Sequence, residues 1–367
     1  MMSSARPRIL FCMHMPPPVH GAAIVGKQIY DSQLIREAFD CSYVNYSTSG
    51  SLGEIGRFSI KKIVSVIQFI KSIRKKVQNE KPQLVYITPS LSGWAFYRDW
   101  LFVRMLKHNN CIIIAHFHNK PPLSFTKKWY NKLLYKHFFD GVHAIFLANC
   151  LAEEFKEYIE SSHIHVCPNG IPDVQQGNYI PRKGMPYTFL FLSNMMEDKG
   201  VIVLLNACAL LKKRGCKFEC NFIGQWSDVS GQRFDALCKE LNILDNVHAY
   251  GGVYGRDKEK YFVEADAFVF PTLHETFGLV LLEAMQYSLP IIATSEGGIP
   301  DIIDDNIGFL VEKRNSEALA DKMQYLIEHS DTGREMGRRG RIKYEYEYTL
   351  PIFEHRFVEN IKEVLSR

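Results

Sequence analysis

No stretch of this 367-residue chain offers the roughly 18 uncharged apolar residues that a membrane-spanning helix needs. The opening segment, MMSSARPRILFCMH, lacks the long apolar run and small-residue cleavage site of a secretory leader. None of the nine cysteines, at 12, 41, 111, 150, 167, 208, 216, 220 and 238, forms a C-x-x-C pair. Several lie inside apolar runs, so they are expected to be reduced structural thiols in a cytoplasmic compartment. There is no short repeat and no low-complexity tract. No D-x-D stands in a convincing metal-binding context, and a divalent metal is not expected.

What is present is globular in composition, with 46% apolar and 23% charged residues. The length exceeds the roughly 250–300 residues at which single cores stop growing, so two domains are expected. Net charge is +4, unevenly spread: residues 1–172 hold 21 basic and 11 acidic residues, residues 173–367 hold 23 and 29. The first half therefore suits an anionic partner, such as a lipid surface or a phosphate-bearing acceptor. No nucleic-acid partner is expected.

Short apolar runs alternate with helix-period segments from end to end. Strands are expected at Ile9–Met13, Leu84–Thr88, Cys111–Ala115, Val142–Leu147 and His165–Cys167. A second series follows at Tyr187–Leu192, Phe218–Ile223, Val247–Tyr250, Ala267–Phe270, Ile291–Thr294 and Phe309–Val311. Helices are expected near 22–36, 60–79, 94–107, 126–139, 149–160, 200–213, 230–241, 278–288, 315–328 and 350–366. Apolar strands alternating with helices indicate parallel sheets covered on both faces, an α/β class of two doubly wound, Rossmann-like domains. The polar Pro168–Pro186 segment reads as a linker. The expected domains are 1–170, joined by the terminal helix 350–367, and 175–349. In such folds ligands sit at the carboxyl ends of the strands, so function is expected in the loops that follow them, in a crevice faced by both domains.

The densest signal is PTLHETFGLVLLEAMQYSLPIIATSEGGIPDII, residues 271–303. A strand ends at Phe270, a loop carries Glu275, and Gly278 opens a helix bearing Glu283. Helix N-termini present unpaired N–H groups, so Thr276, Phe277, Gly278 and Leu279 are candidates to hold a phosphate or sugar oxygen. Two carboxylates accept hydrogen bonds from hydroxyls, which suits a polyol such as ribose or a hexose. Upstream, FLSNMMEDKG at 190–199 with Gly200 leads from a strand to a lysine at a helix start.

The stretch E-T-F-G-L-V-L-L-E, with P-T before it, E-A-M after it and G-G-I-P-D beyond, resembles the E-x7-E signature of the GT-B retaining glycosyltransferases. These are the bacterial polysaccharide and lipid-linked sugar transferases of the group 1, family 4 type. The resemblance covers essentially the whole chain and is strongest over 187–311. It implies two facing Rossmann-like domains, the first holding the acceptor and the second the nucleotide sugar. Glu283 would bind the donor ribose, Glu275 the transferred sugar, and Lys199 the diphosphate. The family pattern G-R-x4-K-G has an arginine where this chain has Asn194, so part of that cationic clamp is missing or supplied elsewhere. Gly21 in PPPVHGAAIVGKQIY matches a glycine-rich turn, although the family usually has two glycines. Val253 lies where backbone meets the nucleobase. His118, after the strand CIIIA, would contact a sugar hydroxyl or the acceptor.

The implied reaction is sugar transfer from a nucleotide-diphosphate sugar, with retention. The acceptor would be a glycan or polyprenyl-diphosphate-linked glycan of a surface-polysaccharide pathway, reached at the inner face of the cytoplasmic membrane. A nucleotide-sugar 2-epimerase on the same fold, or a non-catalytic nucleotide-sugar-binding partner subunit, are the alternatives. Gly21 to Lys27 also imitates a phosphate-binding P-loop, with Gln28 where Ser or Thr should stand. His116 and His118 could alternatively be structural or ligate a metal, but no third ligand is spaced for it. The basic amphipathic segment 57–81 and the Lys127–Phe139 helix read either as layer helices with snorkelling lysines or as contacts to anionic lipid.

Overall fold

The computed structural model describes residues 6–17, 20–46, 60–174 and 186–367. Contacts divide the chain into two units: Met1–Asn169 with Pro351–Arg367, and Gly170–Leu350.

The first unit has six strands: β1 Arg8–Met13, β2 Asp40–Asn45, β3 Leu84–Ile87, β4 Ile112–His116, β5 His143–Phe146 and β6 Ile164–Val166. They pair in parallel in the order β2-β1-β3-β4-β5-β6. Strand β3 is buried at every residue, and β1 at all but its first, as a sheet covered on both faces demands. Strand β2 is half-exposed along its length and carries Asp40, Ser42 and Asn45. As an edge strand it has no continuous apolar run, and the pattern that marks its neighbours does not mark it.

The expected helix 22–36 is two, Gly21–Asp31 and Gln33–Ala38. Ser32 divides them in an extended conformation. Its N–H donates to the Gln28 carbonyl at 3.0 Å, while its Oγ accepts from Ile35 N at 3.3 Å. One serine thus ends the first helix and caps the second. The expected 126–139 helix likewise begins only at Trp129, after a short turn Leu123–Thr126.

The terminal helix Leu350–Ser366 returns to this unit. Its residues Phe353, Phe357, Ile361 and Val364 recur at i, i+4, i+8 and i+11 and are buried. The Phe357 ring lies 5.2 Å from Tyr86 and 6.3 Å from His116, so the helix covers the middle of the sheet. At about 1.5–3 kcal/mol per fully buried large apolar side chain, these four outweigh anything the helix gains from its own propensity.

The second unit has β7 Tyr187–Leu192, β8 Phe218–Ile223, β9 Val247–Ala249, β10 Ala267–Phe270, β11 Ile291–Thr294 and β12 Gly308–Val311. Their order is β12-β11-β10-β7-β8-β9, again all parallel. The order reverses between β7 and β10, and in the first unit between β1 and β3. Chain crossovers leave opposite ways from such a pair, opening a crevice at the strands' carboxyl ends. The loops after β7 and β10 therefore define the candidate site of the second unit, and those after β1 and β3 that of the first. No disulfide joins any of the nine cysteines.

Candidate active site

The loop after β7 runs from Ser193 to Gly200, where the helix Val201–Lys213 begins. Gly200 is left-handed, with φ +83°, and a Cβ there would lie 2.0 Å from the Pro271 carbonyl oxygen. Only glycine lets this loop press against the one after β10. The Asp198 carbonyl ties the two together, accepting from Leu273 N at 2.7 Å, His274 N at 3.2 Å and Thr272 Oγ1 at 3.2 Å.

This contact brings Lys199 to Glu275. Lys199 Nζ donates to Glu275 Oε2 at 2.9 Å and to the His274 carbonyl at 3.0 Å. The other oxygen, Glu275 Oε1, accepts from Thr276 N at 2.9 Å and Phe277 N at 3.4 Å. Glu275 thus turns back on its own loop and occupies two of the amides that the sequence offered to a ligand. Gly278, at φ +88°, caps the helix Leu279–Gln286, so the amides at Gly278 and Leu279 are the ones not taken by Glu275. The Phe277 side chain is buried near Tyr348.

One turn into that helix stands Glu283, and its partner was not foreseen. Lys258 Nζ donates to Glu283 Oε2 at 2.6 Å. Lys258 ends a short 3-10 turn, Gly255–Lys258, after β9. In the sequence it sits in the run G-R-D-K-E-K, which looks like ordinary solvated charge. Nothing local distinguishes it; only the fold sets it opposite a carboxylate 25 residues away. Lys258, Asn194, Gly224, Gln225, Val253 and Tyr254 line one concavity at the ends of β7, β8 and β9. Asn194 is exposed there and brings no charge, whereas Lys258 does. The site thus holds two lysine–glutamate pairs, each side chain about a quarter exposed or less.

In the first unit the corresponding edge is built of imidazoles. His14 follows β1; its N–H donates to Thr88 Oγ1 at 3.2 Å, and its Nδ1 lies 3.0 Å from the same oxygen. His20 caps the helix Gly21–Asp31, its Nδ1 accepting from Ala23 N at 3.4 Å. Gly21 itself has open space where a Cβ would be. His118 follows β4, with its ring 4.2 Å from that of His116. His118 Nε2 is buried and has no hydrogen-bond partner, which in a folded protein calls for an explanation. Burial, with His20 nearby, pushes His118 down to about 3, and burial with Arg98 beside it does the same to His14. Both are therefore neutral at physiological pH. Arg98 is neutralised by Asp99, 2.6 Å away, whose other oxygen accepts from Ser90 N at 2.7 Å.

The P-loop imitation dissolves. Gly26 and Lys27 lie inside the helix Gly21–Asp31, and Lys27 pairs with Asp31 on an exposed face. Gly26 is needed because a Cβ would lie 2.0 Å from the His14 carbonyl oxygen. Among the described residues no cluster of three His, Cys, Asp or Glu side chains could hold a metal ion. His116 is core, its Nδ1 2.8 Å from Tyr86 OH. Of the basic segment 57–81, residues 57–59 and the side chains of Lys61 and Lys62 lie outside the described residues. Ile73 and Val77 are buried, and Lys76 pairs with Glu80 at 2.6 Å.

Residues 178–343 match the model of glycosyl transferases group 1. The amylovoran biosynthesis glycosyltransferase AmsK of Erwinia amylovora is 29% identical over 189 residues, 50% of this chain and 45% of that one. The chain spans less than half the length of the curated relatives it matches. Whole-chain likeness is to solved folds. Sucrose-phosphate synthase of Thermosynechococcus elongatus superposes with a TM-score of 0.75 at 16% identity, covering 98% of this chain and 99% of that one. Anabaena HepE in complex with UDP gives 0.71 at 14%, covering 97% and 99%. The fold is GT-B.

Proposed function

We propose that this chain, whose residues 178–343 match the model of glycosyl transferases group 1, transfers a sugar from a nucleotide-diphosphate sugar to a glycan or polyprenyl-diphosphate-linked glycan. The observation that carries this is the double lysine–glutamate arrangement at the strand ends of the second unit. Pairs this far withdrawn from water incur a desolvation cost that offsets much of their attraction, so their placement is better accounted for by a ligand than by stability. Two bare carboxylates would repel an incoming diphosphate; with Lys199 and Lys258 beside them they stay available to hydroxyls without that penalty.

In this scheme Glu283 accepts from the donor's ribose hydroxyls, and Lys258 holds the carboxylate while adding a charge that Asn194 does not. Lys199 meets the diphosphate and, as the sugar–phosphate bond breaks, stabilises the growing negative charge. Glu275 receives a hydroxyl of the transferred sugar. Val253 backbone borders the nucleobase, and the amides at Gly278 and Leu279 face the phosphates. The leaving phosphate takes the acceptor's proton on the same face, which retains the anomeric configuration. Gly21 and the neutral His118 of the first unit serve the sugar and the acceptor. No divalent metal is required, since lysines supply the positive charge. The relative's printed role in amylovoran biosynthesis supports a surface polysaccharide as the destination, and the UDP complex of the solved neighbour supports a nucleoside diphosphate in the second unit. We place the enzyme at the cytoplasmic side of the membrane.

The test is calorimetry with UDP, GDP and ADP in EDTA. One of them should bind, and Glu283→Ala or Lys258→Ala should each weaken it at least about tenfold, as expected for a lost charged partner worth about 1.5–3 kcal/mol. Unchanged affinity in both variants, or binding only when magnesium is restored, would overturn the assignment.

A further inference from the structure

Two helices of the first unit carry a second apolar stripe that the core does not use. In Gly93–His108 the side chains Phe96, Phe102, Val103 and Leu106 are buried, and in Trp129–Phe139 Tyr135, Phe138 and Phe139 are. Packing is already served by those faces. Yet Trp94 is 64% exposed, Leu101 50%, Trp129 72% and Leu133 57%. The residues form one surface. Trp94 stacks edge-on against Tyr97 at 5.9 Å, Tyr97 OH donates to Asn131 Oδ1 at 3.0 Å, and Trp129 meets Tyr130 at 5.9 Å. Lys128 Nζ sits 5.9 Å over the Tyr130 ring.

The charge carried by the stretch that holds these two helices is nearly all of one sign. Residues 93–139 contain eight Lys and Arg and one acid, Asp99. That acid is fully buried and paired with Arg98. Among the described residues Lys127, Lys128, Lys132 and Lys136, all exposed, form no ion pair with a carboxylate, and the exposed Asp140 lies only past the end of the second helix. Exposed Trp, Tyr and Leu ringed by lysines combine the two terms that hold a protein at an anionic bilayer: insertion of amphipathic rings and attraction to headgroups. A second copy of the chain is a poor occupant, because a two-fold contact would face lysines against lysines.

We infer that the face formed by Gly93–His108 and Trp129–Phe139 docks the protein onto anionic phospholipid. Its position gives the docking a purpose. Trp94 is the second residue of the helix after β3, and Trp129 the first of the helix that follows β4. A helix N-terminus in a strand–helix unit lies at the carboxyl edge of the sheet, here the edge that carries His14 and His118. The bilayer would thus border the acceptor's entry to the first unit, and the acceptor would be lipid-anchored. This last step rests on the proposed sugar transfer; the docking does not.

The full chain would be floated with phosphatidylcholine vesicles and with vesicles containing phosphatidylglycerol, at low and high salt, while tryptophan emission is followed. Binding should be at least about tenfold tighter to the anionic vesicles, fall with salt, and shift the emission to the blue. Trp94→Ser with Trp129→Ser and Leu133→Ser should abolish it, with nucleotide affinity unchanged as evidence of an intact fold. Lys128→Glu with Lys132→Glu should do the same without touching the apolar residues. Wild-type protein that ignores anionic vesicles, or the serine variant binding them as well, would overturn the docking. So would a wild-type dimer in light scattering that the serine substitutions dissociate, since the face would then be an interface between copies. Nucleotide binding is read separately, so loss of the transferase reading would show as absent binding there, with flotation unaffected.

Discussion

The two sheets are built on nearly the same plan, six parallel strands with a reversal of order near the middle, yet their carboxyl edges carry opposite chemistry. In the second unit the edge holds four ionised groups, Lys199 with Glu275 and Lys258 with Glu283. In the first it holds neutral imidazoles, His14 and His118, beside an Arg98–Asp99 pair that cancels itself. On the proposed function, the same backbone device would serve two ligands that differ in charge. A diphosphate needs compensating cations, and a hydroxyl-bearing substrate needs donors and acceptors that do not compete electrostatically. The difference lies in side chains on loops, not in the fold that aims them.

The largest expected effect separates the edges directly. Lys199→Met should lower kcat/KM at least about 100-fold, because it removes a donor aimed at charge that develops in the transition state. His118→Asn should cost about tenfold, the share of one neutral hydrogen bond. Steady-state kinetics with the donor identified by calorimetry would decide. A large loss in His118→Asn with none in Lys199→Met would reverse the roles assigned to the two units.

A second effect concerns acid. His14 and His118 have their folded values pushed down to about 3, against an ordinary 6.5. His143 is pushed down to about 4, and His20, His116 and His165 are also lowered by burial. Between those values the unfolded chain binds protons that the folded chain refuses. Stability from these groups is therefore present above pH 6.5 and drains away as pH falls toward 3. Each imidazole contributes a slope of at most about 1.4 kcal/mol per pH unit. Urea unfolding of the full chain from pH 7 to 4.5 should show falling midpoints, and His14→Gln with His118→Gln should flatten the decline. A midpoint independent of pH would show that these rings are not buried as drawn.

The smallest effect probes Asn194, the place where the charged edge lacks a charge. Asn194→Arg should leave nucleotide diphosphate binding unchanged or tighten it by up to about tenfold. Abolished binding in a folded variant would mean that the loop after β7 does not face the phosphates.

Most strands were legible because burial on both faces forces a run of apolar residues that no helix of that length would need. Strand β2 escaped because an edge strand needs no such run. The helix Ser330–Glu347 escaped for another reason. Its buried face is Gly333, Gly337, Gly340 and Tyr344, so an apolar period is replaced by a glycine period. At Gly337 a Cβ would lie 1.8 Å from the Ser288 carbonyl oxygen. Helix meets backbone there, and close approach rather than apolar bulk makes the contact. Glu275, Glu283 and Lys199 could be singled out as candidates because Glu275 and Lys199 stand in loops before helices and Glu283 one turn into a helix, inside a pattern that resembles a known one. Lys258 was not, since nothing in its neighbours says which carboxylate it will meet. His14 was not singled out either, because a histidine after a strand says nothing about the Thr88 beside it.

By itself the sequence determined the alternation of strand and helix, the two-unit division, and the chemical types at the loops after β7 and β10. These follow from short-range rules: periodicity, caps, and residues that only certain backbone conformations accept. The tertiary structure alone decided which charges became pairs and which imidazoles lost their water. Those outcomes depend on distances between residues remote in the chain and on the dielectric around them, and neither is written in any local stretch of sequence.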